Sequence, residues 1–250
     1  MTENSVAPIP AATLIVVRAN ENQVPEILLL KRSATARFMP NAYVFAGGAV
    51  DAVDSADKVY GLCRHLGDAG ASARLDLPKD GLRFYVAAIR ETFEEAGLLF
   101  AYDQAGDLVD FCAWDEAQLR RIRSAGASTA DLHALCTANN WHLATDRLCF
   151  FSHWITPRGS QRRFDTRFFI ARAPSRQVAS LANTEMSELV WRTAADALGD
   201  QAQGRLMLML PTRTVIQEIA QFEHIDSLLK SARQRSGISP ITPDLPGLGY

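Results

Sequence analysis

The run Arg90-Glu91-Thr92-Phe93-Glu94-Glu95-Ala96-Gly97 constrains this chain more than any other stretch. Leu82, Tyr85, Val86, Ile89, Phe93 and Ala96 recur at about 100° per residue, which predicts a helix over 80–96 with one apolar stripe. Gly97 falls just past the last turn, where glycine takes a left-handed cap conformation, and Asp80 stands at the expected N-cap. Glu91, Glu94 and Glu95, spaced i, i+3 and i+4, are neighbours on the side opposite that stripe. Like charges so placed repel by roughly 0.2–0.5 kcal/mol per pair on an exposed helix. Two readings compete: the glutamates form the solvated face of an amphipathic helix, or a cation relieves their repulsion. Arg90 can pair with Glu94 one turn on but cannot serve three carboxylates, and no Lys or Arg follows in the next turn. Mg²⁺ and Mn²⁺ suit oxygen ligands, and Mg²⁺ usually combines a few carboxylates with substrate phosphates. The second reading is therefore a metal-dependent phosphate site in outline.

The 250 residues, 48% of them hydrophobic, allow one large globular domain or two small ones. A net charge of −2 offers no basic field for nucleic acid. No segment approaches the roughly 20 apolar residues of a membrane span, and the polar start does not read as a signal peptide. Cys63, Cys112, Cys136 and Cys149 form no Cys-x-x-Cys, so they read as reduced thiols of a cytoplasmic protein. His65, His133, His142, His153 and His224 show no metal-ligand spacing.

Strands are expected at 11–18, 26–31, 43–45, 98–102, 147–155, 164–171 and 187–192. The polar, Ala/Gly-rich stretch 51–79 reads as a loop with a short helix. Further helices are expected at 115–123, 129–140, 193–199 and 211–230, with an extended tail over 236–250. Mixed strands with segregated helices indicate α/β/α or α+β layers.

With the glycine pair Gly47-Gly48 added, the pattern resembles the Nudix hydrolase family. Its box reads Gly, five residues, Glu, seven residues, then Arg-Glu-U-x-Glu-Glu-x-Gly-U, with U a bulky aliphatic residue. Arg90, Glu91, Glu94, Glu95, Gly97 and Leu98 match the second half in order, and Thr92 replaces the first U. Gly48 opens the first half and Asp54 stands in for its Glu. Gly48 and Arg90 lie 42 residues apart where an uninterrupted box has 14, so about 28 residues are inserted, roughly over 55–80. Such an insertion is similar to that of one branch, the enzymes like the mammalian peroxisomal coenzyme A diphosphatase. Leu29-Leu30-Lys31-Arg32-Ser33, Arg37 and Phe45-Ala46-Gly47-Gly48 resemble that branch's upstream motif, with Asn41 for a glycine and Ala46 for a proline. Trp154-Ile155-Thr156-Pro157 and Arg162-Arg163-Phe164-Asp165-Thr166-Arg167-Phe168-Phe169 also look like it.

The resemblance implies a single α/β domain over 1–250. It is a Nudix-type α/β/α sandwich with a mixed sheet, a core at about 8–222, and helical additions near 55–80 and 115–140. It further implies a Mg²⁺- or Mn²⁺-dependent pyrophosphohydrolase. The favoured substrate is coenzyme A or acyl-CoA, cleaved to 3′,5′-ADP and (acyl-)4′-phosphopantetheine. ADP-ribose, NADH or another nucleotide diphosphate is the alternative, and a non-catalytic nucleotide-binding protein of the same fold is a third reading. Glu91, Glu94, Glu95 and the backbone of Gly48 are the expected metal ligands. Glu94 and Glu95 are the catalytic box carboxylates, and the general base is either a box glutamate or one from a later loop, for which Glu185 is the first candidate and Glu188 the second. Arg32, Arg37, Arg162 and Arg163 are the expected substrate-binding residues, since guanidinium groups suit phosphates. The partner is thus a small nucleotide diphosphate, with no nucleic acid and no membrane, and a homodimer is left open.

Overall fold

A hairpin organises the sheet. In the computed structural model, which describes residues 6–112, 114–125, 128–181 and 184–243, β1 (Ile9–Ala19) and β2 (Pro25–Arg32) run antiparallel. The Asn20 side chain closes their turn by accepting the N–H groups of Asn22 and Val24. The two strands pair only at the turn end, Val17 opposite Ile27, and then diverge. A bent segment fills the fork. Its first part, β3 (Ala42–Val44), pairs with the C-terminal end of β2, and its second, β4 (Ala46–Ala49), pairs with the N-terminal half of β1. The expected strand at 43–45 is thus two short strands hinged at Phe45.

The chain continues through α1 (Asp57–Tyr60), α2 (Asp68–Arg74) and the long α3 (Leu82–Ala96). Next come β5 (Ala101–Tyr102), α4 (Glu116–Ala125), α5 (Thr129–Asn139) and β6 (His142–Leu143), with β5 and β6 forming a separate two-stranded pair. β7 (Cys149–Ile155) and β8 (Phe164–Arg172) extend the main sheet, β8 running parallel to β1, and β9 (Met186–Thr193) covers the outer edge of β2. Then follow α6 (Ala194–Ala202), β10 (Met207–Leu208), α7 (Leu210–Ile219) and α8 (Ile225–Gln234). Alternation along the strands feeds two cores. Ala12, Leu14, Val16, Leu28 and Leu30 pack with α3 on one face, while Ile15, Val17, Ile27 and Leu29 pack with α6, α7 and α8 on the other. The α/β/α sandwich expectation holds.

Several local expectations are corrected. The insertion is a docked structure with two helices, not a loop with one. Asp80 does not cap α3; its φ is +59°, and its N–H and that of Leu82 both donate to the Asp68 carboxylate at 2.9 and 3.0 Å. Ser72 accepts the intervening Gly81 N–H at 2.9 Å. The insertion therefore supplies the cap of the helix that follows it.

Strand 98–102 shrinks to its last two residues because the Gln177 side-chain amide takes both backbone groups of Leu99. Helix 211–230 is two helices. Ile219 and Ile225 would stand about 240° apart on one straight helix, so the turn between them swings both apolar stripes onto the sheet. The expected tail is described to residue 243, and 244–250 lie outside the described residues. Within it Ile241 adds to the edge of β7, donating to the His153 carbonyl at 2.8 Å and accepting from Ile155 N–H at 2.9 Å.

Candidate active site

α3 is buried nearly all round, because β4 and the turn at Ala52–Ser55 cover its acidic side. Gly97, at φ +65°, ends it as expected, its N–H bonding to the Phe93 carbonyl at 3.0 Å. Thr92 fits the core in place of the aliphatic box residue because its hydroxyl donates to the Ala88 carbonyl one turn back at 2.7 Å. Asn41 replaces a motif glycine at φ +61°, a left-handed conformation that Asn tolerates better than most residues. Two of the departures from the family pattern thus keep the backbone or the core they replace.

Arg90 sits at the centre, 4% exposed. Its Nε and Nη2 donate to both carboxylate oxygens of the fully buried Asp54 at 3.2 and 3.1 Å. Nη2 also reaches the Ala49 carbonyl at 3.0 Å. Nη1 donates to Glu91 at 2.7 Å and more weakly to Glu94 at 3.5 Å. Burial works against the Arg90 charge, but Asp54, Glu91 and Glu94 outweigh it and hold the guanidinium above its ordinary range. Asp54 is the residue that sequence reasoning undervalued; its position in the box was the available signal.

Glu95 is 3% exposed, so the solvated-face reading fails for it. Its carboxylate accepts the Gly47 N–H at 3.0 Å. Burial pushes this carboxyl well above the usual range, and the Glu91 and Glu185 charges push it further, against the Gly47 N–H and Arg32. Burial likewise raises Glu91, and raises Glu94 to about 7. A side chain on Gly48 would place its Cβ 2.4 Å from the Glu91 carboxylate, so glycine leaves that carboxylate free to hold its position there.

Glu185 precedes β9, and its charge acts on both Glu91 and Glu95. Glu188 is differently placed, accepting from the Tyr43 hydroxyl at 2.7 Å with Lys31 Nζ at 3.6 Å. Arg32 influences Glu95 and ties its own loop by donating to the Phe38 carbonyl at 2.9 Å. Arg37 is exposed on that loop. Arg162 lies over the Phe164 ring at 4.9 Å. Arg163 is buried and spends its donors on the carbonyls of Thr156, Pro157 and Val6.

Among the described residues, no three His, Cys, Asp or Glu side chains converge at metal-ligand geometry. Glu91 and Glu94 turn onto Arg90, and Glu95 onto Gly47. The donor set nonetheless fits a hard divalent cation. It is oxygen-only, and burial first, then neighbouring carboxylates, hold Glu91 and Glu95 above their usual range, a cost that a bound cation would offset.

A family model described as the NUDT19 Nudix domain matches residues 66–216. The chain belongs to this Nudix family. Among curated Nudix relatives, the acyl-coenzyme A diphosphatase NUDT19 of Xenopus laevis is 31% identical, with 84% of this chain and 64% of that protein covered. The human protein of the same name is 30% identical, with 82% and 63% covered. The putative nudix hydrolase 7 of Caenorhabditis elegans is 27% identical, with 86% and 62% covered. The chain spans a little under two thirds of the length of these relatives. Among solved structures, a NUDIX hydrolase from Alicyclobacillus acidocaldarius superposes with a TM-score of 0.75 at 26% identity, covering 94% of this chain and 99% of that one. No helix among the described residues is long and apolar enough to cross a membrane.

Proposed function

We propose that this chain, acting as one Nudix domain, hydrolyses the diphosphate of coenzyme A or acyl-CoA to 3′,5′-ADP and (acyl-)4′-phosphopantetheine. The observation that carries this reading is the split box itself. Glu91 and Glu95 lie against Gly47-Gly48 across an inserted segment, with Glu94 on the same Arg90 as Glu91, in a chain whose relatives include proteins named acyl-coenzyme A diphosphatase.

Glu91, Glu94, Glu95 and the Gly48 carbonyl would hold Mg²⁺ or Mn²⁺. Once bound, such a cation neutralises diphosphate charge and makes water a better nucleophile. Glu185 accepts the proton of the attacking water. The water oxygen bonds to one phosphorus as that phosphorus loses its bond to the bridging oxygen. The bridging oxygen leaves with the electron pair on the other phosphate. Arg32, Arg37 and Arg162 bind the phosphates, and Arg163, by gripping backbone carbonyls, orients the segment that carries Arg162. The cytoplasmic setting expected from four unpaired thiols belongs to the same proposal.

The test incubates the purified protein and Mn²⁺ with CoA, acyl-CoA esters, 3′-dephospho-CoA, ADP-ribose and NADH, with products identified by mass. Release of 3′,5′-ADP from CoA or its esters is expected, along with faster turnover of CoA than of 3′-dephospho-CoA. No 3′,5′-ADP from any CoA ester would overturn the reading.

A further inference from the structure

An apolar pocket opens on the sheet face opposite α3, between the strand ends and the start of α7. Phe38, Trp154, Phe164 and Phe168 give its wall four aromatic rings. Thr156 and Thr166 are polar groups in that wall, and the Thr156 oxygen already accepts the Phe164 N–H at 3.0 Å, which leaves its own hydroxyl able to donate. Phe38 and Phe164 stand 6.5 Å apart at 59°, two ring surfaces meeting at one rim. The Arg162 guanidinium rests on Phe164 and brings positive charge to that rim, and the exposed Arg37 precedes Phe38 in the chain.

The pocket lies at the same end of the sheet as the box. Phe168 pairs with Thr13, and Thr13 with Gly47, whose N–H holds Glu95. The Phe168 and Gly47 backbones are therefore two strand spacings apart, roughly 10 Å within the sheet, with the pocket on one face and α3 on the other. Phe45, at the hinge between β3 and β4, packs its ring edge-on against Phe168 at 6.3 Å, linking the pocket to the glycine pair. The loop from Arg32 to Phe38 spans the two regions, since Arg32 acts on Glu95 and binds the Phe38 carbonyl.

We propose that this pocket takes the adenosine 3′-phosphate end of the substrate. The base lies against Phe164 and Phe38, the Thr156 and Thr166 hydroxyls meet its polar edge, and Arg162 and Arg37 bind the 3′-phosphate. This rests on the CoA-type reading of the site and assigns which half of such a substrate goes where. Charge complementarity selects the nucleotide end over an acyl chain. A flat base bearing phosphates uses aromatic walls and two arginines, whereas a hydrocarbon leaves the arginines without a partner. Reach agrees, because the base is the end tied closely to the diphosphate and the acyl group terminates the long pantetheine arm.

The test measures binding of 3′,5′-ADP, 5′-AMP and 4′-phosphopantetheine by calorimetry, alongside CoA turnover, for the wild type, Phe164→Leu and Arg162→Ala. Phe164→Leu is expected to weaken 3′,5′-ADP at least tenfold and leave 4′-phosphopantetheine within twofold. Arg162→Ala is expected to erase most of the preference for 3′,5′-ADP over 5′-AMP, and covers the case in which Phe164→Leu folds poorly. Unchanged 3′,5′-ADP affinity in both folded variants would overturn the assignment even if CoA is hydrolysed. Variants that shift only the acyl-length preference would overturn it in favour of an acyl pocket. Pocket-dependent 3′,5′-ADP binding without CoA turnover would support the pocket while removing the hydrolase reading.

Discussion

Arg90 bonds oxygens from four residues in three parts of the chain: Asp54 beyond β4, Ala49 within it, and Glu91 and Glu94 on its own helix. With Asp54 fully buried, removing either partner of that pair would leave an uncompensated charge, a loss of about 3–5 kcal/mol. Arg90 is thus a structural keystone, and Glu95 offers the cleaner functional test. In Glu95→Gln the amide oxygen can still accept the Gly47 N–H, while a buried charge crowded by Glu91 and Glu185 is removed. The melting temperature should stay level or rise, and kcat should fall by about 10²-fold or more. Thermal denaturation and steady-state kinetics on one preparation check this, and activity close to wild type would argue against a catalytic Glu95.

Two adjacent glycines at the β4–α3 contact separate fold from chemistry. A Cβ on Gly47 would meet the backbone of Ala12 and Thr13 at 2.5–2.7 Å, within the sheet itself. A Cβ on Gly48 meets only the Glu91 side-chain end. Gly47→Ala should therefore cost about 1–3 kcal/mol of stability. Gly48→Ala should displace the Glu91 carboxylate and lose more activity than stability. Guanidinium melts paired with turnover assays distinguish the two patterns. The α3 cap makes a second claim on stability. Asp68→Ala should destabilise the chain by about 0.5–2 kcal/mol although Asp68 lies outside the helix it caps, which a denaturant melt reads directly.

Across the whole molecule, the far edge of the sheet is held by β7, β8 and the single bridge that Ile241 of the tail makes to β7. There Asp165 accepts from His153 Nε2 at 2.5 Å and pairs with Arg167 Nη1 at 2.7 Å. Burial alone would raise the Asp165 carboxyl, but these two partners outweigh it and hold it below the ordinary range. A folded-state value depressed in this way stabilises fully above the unfolded value of about 3.9, and the contribution is lost as pH falls through the folded one. Asp165→Asn should therefore flatten the fall of stability below about pH 4. An acid limb identical to wild type in a denaturation series would show that Asp165 is not coupled to this edge.

The box residues were legible through the family resemblance, while periodicity and composition, read along the chain, already determined α3 and its Gly97 cap and the strands at β1, β2, β7, β8 and β9. Each of these is written in side chains a few positions apart. Tertiary structure alone decided that the acidic side of α3 is covered rather than solvated, that Asp54 completes Arg90, and that the insertion returns Asp68 and Ser72 to the start of the same helix. It also decided that residues 211–230 break into two helices and that the tail joins β7. Those outcomes depend on which distant surface is nearby to bury a stripe or accept an N–H. A spacing of 36 residues between Asp54 and Arg90 carries no local signal of their contact. It becomes a bond only when β4 fills the fork between β1 and β2 and presses the glycine pair onto α3.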